Sequence, residues 1–108
     1  MTSREERLAR NESLFREVNE RIAEVNAAFD VDGRAEYLCE CGRRHCTESV
    51  ALTRREYEDV RADPTRFIVL PEHENPDVEV VVGSGKGYNV VEKVGEAAEE
   101  AIEQDPRS

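Results

Sequence analysis

The chain is poor in the side chains that most often carry chemistry: its 108 residues include two histidines, three cysteines and two lysines. No apolar run approaches the roughly 20 residues that a membrane-spanning helix needs. The first residues, Met1-Thr2-Ser3-Arg4-Glu5-Glu6-Arg7, are too charged to lead into a secretory apolar segment. These absences place the expected location in the cytoplasm. Basic residues are outnumbered, 15 against 25 acidic, for a net charge of −10. A surface of that sign repels phosphate backbones and anionic lipid, so neither nucleic acid nor membrane is an expected partner. Two histidines set far from any matching serine and carboxylate give no ground for a hydrolytic triad.

The scarce residues are concentrated. All three cysteines fall within Cys39-Glu40-Cys41-Gly42-Arg43-Arg44-His45-Cys46, and the second histidine lies downstream at His73. In a reducing compartment such a cluster points to metal or redox chemistry rather than to a structural disulfide. Cys39 and Cys41 are two apart, so in an extended chain their side chains leave the same face. Gly42 permits the left-handed turn that brings Cys46 back to them. Three thiolates then occupy three corners of a tetrahedron, and zinc is the expected ion, one per chain. His73, in the turn Pro71-Glu72-His73-Glu74, is the preferred fourth ligand. His45 is the rival, weakened because it adjoins Cys46 and neighbouring side chains of an extended chain diverge; water or a partner's group is the remaining choice. Four protein ligands would make the site structural. Two other readings stand beside it: a thiol-based redox or metal sensor, and, with an open fourth position and Glu72 or Glu74 as base, a metallohydrolase. The alternative to any site is three small buried hydrophobes.

The pattern around the cluster predicts an α+β fold in one domain over 1–108: an N-terminal helix within 1–30, a zinc hairpin and sheet core over 35–94, and a loosely held acidic tail over 95–108. Ser3 with Glu6 forms a capping box for a helix over 3–29. Along it Leu8, Phe15, Ile22 and Phe29 recur every seven residues, with Val18 and Val25 between them. That narrow apolar stripe should pack on the domain's own sheet, and it is also a candidate homodimer seam. Asp30-Val31-Asp32-Gly33 is a turn, since the carboxylates of a calcium loop are not at the needed offsets. Strands are expected over 35–39 and 47–52, pairing as a hairpin with the cysteines at its tip. Thr53 and Glu56 form a second capping box, with Leu52 stapled onto Tyr57, for a short helix ending near Ala62 ahead of Pro64. Strands over 67–70, 78–82 and 88–92 complete a small, mainly antiparallel sheet of about five strands, and a weak helix over 95–104 follows. The glycine-rich Gly83-Ser84-Gly85-Lys86-Gly87 fails as a phosphate-binding loop: Val80 replaces its first glycine and Gly87 its magnesium-binding hydroxyl. It is a hairpin loop. The expected role for such a chain is a macromolecular interaction module, its partner another protein.

The string Cys39-Glu40-Cys41-Gly42 with Cys46, then Leu52-Thr53, Glu56-Tyr57, Pro64-Thr65-Arg66-Phe67, and Pro71 with His73-Glu74 resembles a family of short bacterial proteins of uncharacterised activity. The resemblance runs from about Glu36 to Lys93. It implies that the three cysteines and His73 belong together, and no activity beyond that. The family pattern has glycine before this histidine, where this chain has Glu72.

Overall fold

The computed structural model describes residues 3–28, 33–43 and 45–107. Helix α1 (Ser3–Ala28) leads into strands β1 (Arg34–Leu38) and β2 (Ser49–Thr53), helix α2 (Arg54–Arg61), strands β3 (Arg66–Val69), β4 (Glu79–Gly85) and β5 (Tyr88–Lys93), and helix α3 (Glu96–Glu103). The fold is α+β, with the expected five antiparallel strands. They divide into two sheets rather than one: the hairpin β1–β2, and a three-stranded sheet in the order β3-β5-β4. The first capping box (Ser3, Glu6), the Asp30–Asp32 turn, Phe29 and Arg44 lie outside the residues whose side chains are described.

Local chemistry explains the element boundaries in the middle of the chain. The Thr53 hydroxyl accepts from the Glu56 N–H at 3.1 Å while the Glu56 carboxylate accepts from the Thr53 N–H at 2.8 Å, the reciprocal box that starts α2. Leu52 and Tyr57 on either side of that box are both fully buried in one core cluster. There Tyr37 and Tyr57 stack with ring centroids 4.6 Å apart. A second cluster holds Phe67, Val69, Val91 and Ala101, and it also includes Cys39 and Cys41. The first part of the cysteine hairpin, 39–42, therefore enters the hydrophobic interior, while Arg43, His45, Thr47 and Glu48 stay exposed.

Helix α1 docks differently from the expected apolar stripe. The residues turned inward are Glu12, Arg16, Asn19 and Ala23, spaced by four, three and four. Leu8, Phe15 and Ile22 are only half-buried beside them, and Val18 and Val25 are exposed along with Leu14. The physical reason is what the helix meets, which is backbone and buried charge. The Arg16 guanidinium donates to the Pro64 carbonyl (2.6 Å) and the Ala101 carbonyl (2.8 Å) and lies 4.3 Å over the Phe67 ring. Asn19 caps the end of β1, donating to the Leu38 carbonyl at 2.9 Å and accepting from the Leu38 N–H at 2.7 Å. A buried helix face can be polar when nearly all its inward groups have such partners, as here, where the Arg16 Nε is left without one.

The C-terminal segment is better anchored than its small side chains imply. Ala101 is buried, and Asp105 pairs with the fully buried Arg61, which also holds Glu20 at 2.6 Å. Arg107 reaches Glu20 and Glu58, each at 2.9 Å. Charge rather than apolar area ties this end to α1 and α2.

Candidate metal centre

The three cysteines and His73 converge. The Sγ atoms of Cys39, Cys41 and Cys46 and a ring nitrogen of His73 all lie within 4.8 Å of one another. His73 Nδ1 is 3.6 Å from Cys39 Sγ and 3.6 Å from Cys46 Sγ. A tetrahedral ion with bonds of about 2.3 Å to sulfur and about 2.05 Å to nitrogen puts S and N roughly 3.6 Å apart along each edge. The spacing is thus that of ligands around one ion. His45 is exposed and belongs to no such group among the described residues.

Two stretches of chain build the cluster, the hairpin tip over 39–46 and the turn after β3. Cys39 continues from β1, its N–H bonded to the Glu48 carbonyl at 3.0 Å. Gly42, at φ +74°, turns the chain, and the Cys46 N–H closes onto the Arg43 carbonyl at 3.1 Å. His73 arrives from the turn after β3, its N–H on the Leu70 carbonyl at 3.0 Å. Glu72, the residue before it, sits at φ +74°. That left-handed backbone is one that a residue with a side chain rarely adopts and that glycine takes freely. The Arg43 guanidinium donates to the Glu72 carbonyl at 3.3 Å and links the two turns.

The Cys39 sulfur also accepts from the Leu70 N–H at 3.2 Å, and the backbone amides of Arg43 and Glu48 act to lower the Cys41 and Cys46 thiols. Amide donors stabilise thiolates, the form that binds metal. The thiols constrain one another as well. A hydrogen bond between Cys39 and Cys41 pulls Cys41 well below the ordinary thiol range and pushes Cys39 far above it. Burial raises Cys46. One thiolate forms readily and three together need a cation among them.

Sequence reasoning missed the residue that holds this loop from behind. Glu40, between two ligands, points to the opposite face and is fully buried. One carboxylate oxygen accepts from the Ile68 N–H at 3.0 Å; the other accepts from Asn19 Nδ2 at 2.8 Å and the Tyr57 hydroxyl at 3.3 Å. Its own N–H donates to the Ile68 carbonyl at 2.8 Å. The signal was present in the alternation: if Cys39 and Cys41 share a face, Glu40 must leave by the other.

Gly42 serves a second purpose, because α1 crosses directly over it. Asn11 Nδ2 donates to the Gly42 carbonyl at 3.3 Å, and a Cβ at residue 42 would collide with Glu12 Cγ and stand 3.0 Å from the Leu8 carbonyl oxygen. Gly42→Ala is therefore expected to cost at least about 2 kcal/mol, from strained φ plus the displaced helix. Chemical denaturation measures this; a loss below about 0.5 kcal/mol would contradict the packing described.

A cleft of about 1340 Å³ runs along α1 from the cluster to α3, with Cys41 and His73 in one wall and Glu12 and Lys93 in another. The Lys93 ammonium is buried between the carboxylates of Glu12 and Glu79. Two carboxylates for one ammonium leave an excess negative charge, and burial pushes Glu12 up to about 7 despite the attraction of Lys93. The folded state holds the Glu12 proton more tightly than the unfolded chain does. Its contribution is full below the unfolded value of about 4.5 and is lost as pH rises through about 7, a loss of about 3 kcal/mol. Glu12→Gln should lack that dependence. Relative to wild type it should gain about 3 kcal/mol between pH 4.5 and pH 7.5 in denaturation, whereas equal pH slopes for the two proteins would refute the assignment.

No protein-family model, curated protein or solved structure matches the chain. Among the described residues no helix is long and apolar enough to cross a membrane.

Proposed function

We propose that Cys39, Cys41, Cys46 and His73 hold one structural zinc ion, and that the chain is a small zinc-stabilised module for binding another macromolecule, most simply a protein. The observation that carries the reading is the closeness of three sulfurs and one imidazole nitrogen, within 4.8 Å, at separations that suit the edges of a tetrahedron. Three soft thiolates and an imidazole favour zinc over the hard, oxygen-seeking cations. Four protein ligands leave no position for a reacting water, which argues against hydrolysis. Burial of Cys39 and Cys41 inside the second core cluster supports a folding role, since the ion would tie β1, the turn after β3 and the interior together.

A redox or metal-sensing role is the second reading, favoured by the half-exposure of Cys46 and His73, which lets an oxidant or chelator approach. Cobalt(II) substitution separates the possibilities. The structural reading expects a four-coordinate thiolate spectrum that added azide leaves unchanged and His45→Ala does not alter. His73→Ala should open the site to azide. An azide-sensitive spectrum in the wild type would instead favour an open, reactive ion.

A further inference from the structure

The two edges of the β3-β5-β4 sheet are treated differently. The β3 edge is covered: Ile68 exchanges hydrogen bonds with Glu40, and the Leu70 N–H meets Cys39 Sγ. Beyond β4 no strand pairs among the described residues. Natural proteins guard open edges with charge, proline or short length. β4 is seven residues long, and Val80-Val81-Val82-Gly83-Ser84-Gly85 holds no charge and no proline. Val80, Val81 and Val82 are 49, 51 and 43% exposed, in a chain whose net charge is −10. The one guard present is an irregularity in the pairing between Val81 and Gly83.

The ends of this edge indicate what covers it. Asp77 precedes β4 and Lys86 follows it; both are exposed and neither makes an ion pair among the described residues. Glu79 is already engaged by Lys93. We propose that β4 pairs antiparallel with β4 of a second copy of this chain, continuing the sheet across a two-fold axis. Antiparallel pairing brings Lys86 of each copy against Asp77 of the other, whereas parallel pairing would leave like beside like. Facing Asp77 with Lys86 puts the axis at the irregularity in the valine run, where the extra residue Val82 lets the alternation of the two ends match across a two-fold. A foreign strand would have to bring that complement; this chain carries it at both ends, as a self-complementary interface requires. Main-chain hydrogen bonds supply the pairing and the valines the apolar contact.

Sedimentation of the full chain across the micromolar range tests this. The expected result is a concentration-dependent dimer, weakened about tenfold or more by Val81→Lys, by Asp77→Lys and by Lys86→Asp singly. The double swap Asp77→Lys with Lys86→Asp should restore it, an outcome that misfolding could not produce. In the wild type, the amides of 80–84 should exchange more slowly with solvent as concentration rises. A monomer at every concentration with β4 amides indifferent to it would overturn the proposal. So would a dimer that withstands Val81→Lys and is broken by Val18→Glu on the exposed side of α1.

Discussion

Chelating the ion from the site of Cys39, Cys41, Cys46 and His73 is expected to lower the thermal midpoint by about 15–30 °C. A ligand present at a thousand times its dissociation constant stabilises the folded state by about 4 kcal/mol. In a domain of this size each kcal/mol shifts the midpoint by about 4–8 °C. The loss should concentrate where the ligands meet. Without a cation, the mutual hydrogen bonding that depresses Cys41 and raises Cys39 leaves the three sulfurs unable to ionise together. The hairpin tip then loses its tie to the turn that carries His73, and Phe67, Val69 and Val91 lose part of their packing. Core residues of the other cluster that touch no ligand segment in sequence, such as Leu52 and Val60, should retain more order. Thermal melts by circular dichroism with and without chelator read the shift, and a midpoint unchanged to within about 2 °C would show that the ion does not hold the fold.

Glu40→Ala is expected to be nearly as damaging although Glu40 touches no metal. The carboxylate gathers donors from three elements: Asn19 of α1, Tyr57 of α2 and the Ile68 amide of β3. All three sit in the interior, where a donor left without an acceptor costs about 1–3 kcal/mol. The summed loss is about 3–9 kcal/mol, a large part of the stability of a small domain. Burial raises the Glu40 carboxyl, while the bonds from Asn19 and Ile68 and the charge of Arg16 favour its ionised form. Glu40→Leu, closer in volume, should not recover the loss because the same donors stay unpaired. A second consequence separates positioning from bulk stability. The backbone of Glu40 joins two ligands, so metal affinity should fall by about ten- to a hundredfold, as for other groups that orient ligands from behind. A stability loss below about 1 kcal/mol with unchanged affinity would contradict the role assigned here.

The sequence carried the local features clearly and the long-range polar ones poorly. The Thr53–Glu56 box, the Leu52–Tyr57 staple and the clustering of the three cysteines rest on short spacings whose geometry is fixed by the backbone, while His73, 27 residues beyond Cys46, was legible only from its residue type and its place in a turn; each has its counterpart in the fold. The α1 stripe shows the limit. Leu8, Phe15 and Ile22 mark a helix correctly, yet the inward direction belongs to Glu12, Arg16, Asn19 and Ala23. Their burial depends on carbonyls and carboxylates delivered by distant segments, at Pro64, Ala101, Leu38 and Glu40. Periodicity ranks residues by hydrophobicity and is blind to partners of that kind. The same blindness hid Lys93 between Glu12 and Glu79, and Arg61 between Glu20 and Asp105. The division of five strands into two sheets also escaped, because Glu40 and Cys39, rather than a further strand, cover the edge of β3.

The most direct test of the central claim is native mass spectrometry of the untagged chain with elemental analysis of the same sample. One zinc per chain is expected, lost on Cys39→Ser, Cys41→Ser, Cys46→Ser or His73→Ala and kept by His45→Ala. A metal-free chain with three freely alkylated thiols would contradict it and leave the cluster to thiol chemistry alone.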